Sequence, residues 1–149
     1  MTSVRRKESL LYQWTDFTPD ALFLARAVLR REVDRRGLPS GVSDDAVMAA
    51  SELMANAVEH ACGPYELHLR WMPLKVVCEV VDHDISGSEV LERRVASLGT
   101  SPSGVLQGLP ERGRGLHIVN EVSGGTWGVR LLGSAKAVWF AVQLAAGDS

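Results

Sequence analysis

The periodicity of the apolar residues changes sharply at Gly63-Pro64, and this change constrains the fold more than any other feature of the sequence. From Pro19 to this point the apolar residues recur every three to four positions, which is typical of helices. After Pro64 they alternate with polar residues, which is typical of a strand with one buried face. A chain with both patterns is predicted to combine a sheet with covering helices.

The first helix is predicted to begin at Pro19 and to end before Gly37, because Gly37 and the nearby Pro39 terminate helices. Its apolar stripe consists of Leu22, Ala25, Leu29 and Val33, widened by Leu24 and Val28. This stripe is predicted to pack on the sheet, and the opposite, arginine-rich side to face solvent.

The second helix is predicted to be capped by Ser43 or Asp44 and to run to Cys62. One face collects the apolar residues Ala46, Val47, Ala50, Leu53, Met54, Ala57, Val58 and Ala61. Glu52 and Asn56 are four residues apart, so they are expected one above the other on an edge that does not enter the core.

Five strands are predicted, at residues 10–17, 65–71, 76–82, 126–132 and 136–144. A short third helix opens at Gly113-Arg114-Gly115 and closes at Gly124-Gly125. Neighbouring strands are joined by short turns, which favours antiparallel pairing. The predicted fold class is an α/β two-layer sandwich, a mainly antiparallel mixed sheet of about five strands covered on one face by three helices.

Length and composition exclude several classes of protein. The 149 residues, 46% of them apolar, are expected to form a single domain, with a core spanning about residues 10–145. A net charge of −2 excludes a strongly basic nucleic-acid binder. No apolar run approaches the ~18 residues of a membrane span. Because Cys62 and Cys78 form no C-x-x-C pair, we expect a reducing compartment and a cytoplasmic protein.

Common catalytic motifs are absent: the sequence has no G-x-S-x-G elbow, no H-E-x-x-H and no Walker loop. Its histidines and cysteines show no metal-ligand spacing. A long connection rich in Gly, Ser and Pro covers residues 85–112, a length typical of a lid, a binding loop or a disordered segment.

Two polar groups are candidates for chemistry. Glu52 and Asn56 together suit a general base and an oxygen ligand for Mg²⁺, although both could simply face solvent. Asp82 closes a buried row of strand residues, where a carboxylate can accept a hydrogen bond from an exocyclic amine. It could equally begin a loop.

A third candidate is the run Arg112-Gly113-Arg114-Gly115-Leu116. Glycines at a helix N-terminus let backbone N–H groups approach an anion, and the two arginines add positive charge. The alternative interpretation is a plain flexible turn.

In this order and spacing the motifs resemble the Bergerat-type ATPases, the fold shared by histidine kinases, gyrase and MutL. The resemblance is closest to the RsbW-like anti-sigma-factor serine kinases. The matching patterns are E-L-x-x-N-A-x-x-H at 52–60, part of D-x-G-x-G at 82–86, G-R-G-L-x-I-V at 113–119, W-G-V at 127–129 and K-x-V-W-F at 136–140. Two positions depart from the family pattern. Asp84 stands where the family has a glycine, and Ala137 where relatives often place a threonine beside the adenine.

The resemblance implies ATP and Mg²⁺ as cofactors and assigns roles to the candidate residues. Asn56 would hold the Mg²⁺ that bridges the phosphates, and Glu52 would orient or deprotonate the attacking hydroxyl. Asp82 would accept a hydrogen bond from the adenine amine. His60 matches the motif without an assigned role.

For the glycine motif, the resemblance implies that Gly113, Gly115 and Leu116 cradle phosphate through backbone amides. Arg112 or Arg114 would contact the terminal phosphoryl group, and residues 85–112 would form the ATP lid. The implied activity is a serine/threonine protein kinase that binds a sigma factor and phosphorylates an anti-anti-sigma antagonist of the STAS type. Relatives dimerise, so a homodimer is expected, with the apolar first strand as a possible edge.

The sequence is also compatible with two other functions. The chain could be a non-catalytic binding module whose altered nucleotide pocket only shapes a partner surface. It could also be a histidine-kinase ATP domain, although no phosphoacceptor-helix hairpin precedes it in the sequence.

Overall fold

The computed structural model describes residues 9–15, 18–61, 63–83 and 114–144. In chain order the elements are β1 (Leu10–Trp14), α1 (Pro19–Arg35), α2 (Ser40–His60), β2 (Tyr65–Trp71), β3 (Lys75–Asp82), α3 (Arg114–Ser123), β4 (Trp127–Leu132) and β5 (Ala135–Gln143). The strands form one sheet in the order β1-β2-β3-β5-β4, and each neighbouring pair is antiparallel. The predicted α/β sandwich is confirmed, and within the described residues its sheet is antiparallel throughout.

The three described helices pack on one face of the sheet, because alternate strand residues join the helices in a single apolar core. Strand residues of this face include Leu67, Leu69, Val76, Cys78, Val80, Val138, Phe140 and Val142. Helix residues of the same core include Ala25, Leu29, Val33, Leu53, Met54, Leu116 and Val119. This face is the helix side of the sheet, and the opposite face is called the open side below.

The start of α1 is fixed by Thr18, whose hydroxyl accepts a hydrogen bond from the backbone N–H of Ala21 at 3.0 Å. The predicted stripe is confirmed at Ala25, Leu29 and Val33, which are fully buried. The widening to Leu24 is wrong, since this side chain is 46% exposed. On the helical wheel of α1, Leu24 lies outside the face that packs against the sheet and α2.

The start of α2 also differs from the prediction. The helix begins at Ser40 with Pro39 at the N-cap position, and no side chain caps it. The fixed φ of proline, here −56° with an extended ψ of 146°, directs the chain into the helix one turn earlier than expected. Ser43 is therefore buried inside the helix, and its hydroxyl finds no partner among the described residues.

Several expectations fall outside the described residues. These are the last part of the first predicted strand (16–17), Cys62, Asp84, the predicted lid, Arg112 and Gly113. Within the described part, no helix has both the length and the apolarity that a membrane crossing requires.

The open side of the sheet carries polar networks. Glu66 accepts a hydrogen bond from Nε2 of the buried His68 at 2.7 Å, and Nδ1 of the same ring lies 2.8 Å from Ser9 Oγ. Beside them, the two carboxylate oxygens of Glu79 each accept a hydrogen bond from one arginine, Arg70 and Arg130. The carboxylates of Glu66 and Glu79 thus have hydrogen-bond partners within the sheet.

Candidate functional site

The end of α2 and the end of β3 lie at the same end of the sandwich. After α2 the chain turns into β2, and the hydroxyl of Tyr65 donates a hydrogen bond to the carbonyl of Ala61 at 3.0 Å. Because β2 and β3 are antiparallel, with Glu66 opposite Val81, the start of β2 lies beside the end of β3. Asp82, one residue further, is therefore at the edge where α2 ends.

The N-terminus of α3 points to this same end. A turn through Gly124 and Gly125, whose φ angles of 63° and 86° favour glycine, joins α3 to β4. The indole N–H of Trp127 donates to Oδ1 of Asn120 at 3.0 Å and holds β4 against the helix. The helix and the strand consequently run in opposite directions. Since β4 finishes beside Lys136 of β5, α3 begins near that residue.

The positions of Glu52 and Asn56 on α2 follow from the contact between α2 and α1. Arg30 of α1 binds Asp44 at 2.7 Å, which marks the flank of α2 that faces α1. Glu52 is displaced from Asp44 by about 80° around the helix and Asn56 by about 120°, while α3 packs against the other flank. Both side chains are half-buried. They lie on the α3 side of α2, with the exposed Met48 between them and α1.

Asp82 is buried, with 1% of its surface exposed, and it faces the helix side of the sheet. Directly opposite on β5 is Lys136, which is 4% exposed, with its Nζ 3.5 Å from Asp82 Oδ2. The end of the sheet therefore presents a buried carboxylate and a buried ammonium side by side.

Lys136 was missed as a candidate, and the register of β5 shows why. The family pattern drew attention to Ala137, but Ala137 pairs with Val81 and faces the open side with Ala135. Alanine in place of threonine at position 137 therefore changes the open side and not the helix side, which Asp82 faces. Strict alternation along β5 could have identified Lys136, because it shares a face with Val138 and Phe140.

Within the glycine motif, Arg114 and Gly115 are the first two residues of α3. Leu116 is 1% exposed and belongs to the core, so any contact it makes with a ligand comes from its backbone. The first backbone N–H groups of a helix lack partners within the helix and favour an anion.

The oxygen atoms of Glu52 and Asn56 fit a hard cation that retains most of its waters. Mg²⁺ commonly needs only one or two protein oxygens beside substrate phosphates. Among the described residues no group of three or more His, Cys, Asp or Glu side chains forms a dedicated metal cage. Cys78 is no candidate nucleophile, because burial, with a smaller effect of the Glu79 charge, raises the pKa of its thiol far above the usual value.

Comparison with known proteins agrees with this architecture. The model of the family described as histidine kinase-like ATPase domain matches residues 15–124. A chain in the crystal structure of the SiaB–SiaC complex from Pseudomonas aeruginosa superimposes with a TM-score of 0.73 at 12% sequence identity, over 95% of each chain. At this identity the likeness shows the fold alone. A search of curated proteins finds no match.

Proposed function

The chain belongs to the histidine kinase-like ATPase domain family, and from this membership we propose that it is an ATP- and Mg²⁺-dependent serine/threonine protein kinase. In this proposal it acts in the cytoplasm as an anti-sigma factor. It binds a sigma factor and phosphorylates an anti-anti-sigma antagonist of the STAS type.

The observation that carries the proposal is the placement of Glu52 and Asn56. Both are half-buried on the flank of α2 away from α1, in the C-terminal half of the helix, which ends at the edge of the sandwich that holds Asp82. Phosphoryl transfer depends mainly on positioning and charge stabilisation, which such a group of residues can supply.

In the proposed reaction a substrate hydroxyl attacks the γ-phosphorus of ATP, and the bond to the oxygen of the ADP leaving group breaks. Glu52 orients the hydroxyl and accepts its proton. Asn56 provides the amide oxygen for Mg²⁺, which neutralises charge on the phosphates when bound. Asp82 accepts a hydrogen bond from the adenine amine, and the backbone amides at Gly113, Gly115 and Leu116 bind phosphate, with Arg112 or Arg114 on the terminal phosphoryl group.

The surface of α1 and α2 supports a protein partner. Phe23 is 64% exposed, Leu24 46% and Met48 45%, and all three are on these helices. Exposed apolar side chains are common at protein-binding surfaces. The structure of similar fold was solved as a SiaB–SiaC complex, which is consistent with a fold that binds protein partners. We propose a homodimer as well, with β1 available as an edge strand.

A non-catalytic binding module is the second candidate. It is favoured by one observation, the ion pair between Asp82 and Lys136, which already engages the carboxylate assigned to adenine. A pocket closed by this pair would leave the chain as a partner-binding protein without transfer activity.

Transfer of labelled phosphate distinguishes the two candidates. The full chain, incubated with Mg²⁺, γ-labelled ATP and its antagonist, is expected to yield phosphoserine or phosphothreonine. Glu52→Gln should retain nucleotide binding and lose transfer at least a hundredfold, in the range expected for a general base. Asp45→Asn, an amide substitution at an exposed position of the same helix, is the matched control and should leave transfer unchanged.

Absence of transfer to an antagonist that demonstrably binds the chain would contradict the kinase and favour the binding module. Equal loss of binding and transfer in Glu52→Gln would show that Glu52 has a structural role.

A further inference from the structure

Lys136 carries a buried positive charge that the described protein atoms leave incompletely matched. The side chain is on the helix side of β5, in the row that continues with the buried apolar residues Val138 and Phe140. Its one polar contact in the described part of the chain is the 3.5 Å ion pair with Asp82. Normal N–H···O hydrogen bonds measure about 2.7–3.2 Å, and an ammonium group has three donors. At least two of these donors have no acceptor among the described residues.

Stability alone does not account for a lysine at this position. Removing an ammonium from water is costly, and one long ion pair repays little of that cost. An apolar residue would continue the buried row formed by Val138 and Phe140. A buried charge with unused donors at the end of a sheet is therefore better explained by an acceptor that arrives with a ligand.

We propose that Lys136 is a specificity-determining residue of the nucleotide pocket, and that its ammonium donates a hydrogen bond to N1 of adenine while Asp82 accepts one from the 6-amino group. The inference rests on the proposed function, which assigns Asp82 to that amine. It adds a second residue to base recognition and a reason for the nucleotide preference.

The donor and acceptor order of the two purines decides the selectivity. Along its Watson–Crick edge adenine presents a donor at position 6 followed by an acceptor at N1, which complements a carboxylate beside an ammonium. Guanine presents the reverse order, an acceptor at O6 followed by a donor at N1. In the same pose guanine would place O6 against Asp82 and its N1–H against Lys136, and both contacts are repulsive. Asp82 and Lys136 therefore favour adenine in two ways, because they form hydrogen bonds with adenine and repel guanine.

Calorimetry with three nucleotides tests the contact directly. ADP, GDP and 1-deaza-ADP, in which N1 of adenine is replaced by C–H, are titrated into the full chain. The wild-type protein should bind ADP about tenfold or more tightly than 1-deaza-ADP, as expected for loss of one hydrogen bond to a charged group. It should prefer ADP over GDP by at least about a hundredfold, since two contacts become repulsive.

Three variants complete the experiment. Lys136→Met should bring the ratio of ADP to 1-deaza-ADP affinity close to one and reduce the preference over GDP by about tenfold. Lys136→Gln keeps an N–H donor and should restore part of the ratio. Lys75→Met changes a half-buried lysine at the opposite end of β3, and it should leave both ratios unchanged.

The ratio of ADP to 1-deaza-ADP affinity separates a binding contact from a structural role, because a general loss of folding weakens the binding of both nucleotides equally. A ratio near one in the wild-type protein, or the same ratio in wild type and Lys136→Met, overturns the inference while leaving ADP binding and the proposed function intact. If Lys136→Met does not fold, the wild-type and Lys136→Gln ratios still decide the question. A wild-type chain that binds none of the three nucleotides overturns both proposals.

Discussion

Glu79 offers a quantitative test of how charge is stabilised on the open side of the sheet. Its side chain is 5% exposed, and its two carboxylate oxygens bind Arg70 and Arg130, whose side chains are 48% and 45% exposed. The substitution Glu79→Gln keeps the shape of the side chain and removes its charge. The amide nitrogen that replaces one oxygen then faces a guanidinium, so a donor opposes a donor.

The expected loss lies between two known limits. A hydrogen bond to a charged group contributes about 1.5–3 kcal/mol when well buried, and an exposed ion pair about 0.2–1 kcal/mol. Because water reaches about half of each arginine side chain, an intermediate value of about 1 kcal/mol per arginine is appropriate. The free energy of unfolding should therefore fall by about 2 kcal/mol, which corresponds to a decrease in Tm of about 4–8 °C for a chain of this length.

Thermal and urea unfolding of the wild type and of Glu79→Gln measures this loss in the free energy of unfolding. Repeating the measurement at high salt concentration tests its electrostatic origin. At 1 M salt the difference between wild type and Glu79→Gln should shrink, because screening acts on the exposed guanidinium groups. Glu121→Gln is the matched control. Glu121 pairs with His117 on an exposed face of α3, and its loss should change stability by less than about 0.5 kcal/mol. Equal effects of the two substitutions would refute the reasoning.

Two further predictions concern the site and the core. Asp82→Asn should weaken ADP binding about tenfold or more in calorimetry, since the charged acceptor of the amine is lost, and an unchanged dissociation constant would count against the assignment of Asp82. In a Cys62→Ser background, Cys78 should resist thiol reagents at pH 7–8 until the chain unfolds, because burial raises its pKa and suppresses the reactive thiolate. Rapid labelling under native conditions would show that β3 is accessible.

Local periodicity was sufficient to predict most of the fold. The alternation of apolar and polar residues after Pro64 indicates which side of the strand is buried, and the stripe of Leu29 and Val33 indicates which side of α1 is buried. The start of α2 could not be obtained this way, because Ser43 and Asp44 are good capping residues and only the backbone at Pro39 shows which residue begins the helix. Leu24 was misplaced because periodicity gives the direction of a stripe better than its width.

The candidate site was predictable as a set of motifs but not as a set of contacts. Antiparallel connectivity alone brings the end of α2, the end of β3 and the start of α3 to one end of the sandwich. The contact between Asp82 and Lys136 depends on the register of two strands separated by more than fifty residues. A motif comparison counts positions along one strand and cannot show which side chain lies across from another.

Two acidic residues of β3, Glu79 and Asp82, form ion pairs that differ in how completely their charges are hydrogen-bonded. Glu79 on the open side has an arginine on each oxygen, and both arginines keep about half of their surface in water, so every charge has a partner or solvent. Asp82 on the helix side faces the ammonium of Lys136, which is almost fully buried and too distant for a normal hydrogen bond. The first arrangement is complete without a ligand and contributes to stability. The second leaves a buried ammonium with unused donors beside a carboxylate, and the donor and acceptor order of adenine would complement this pair.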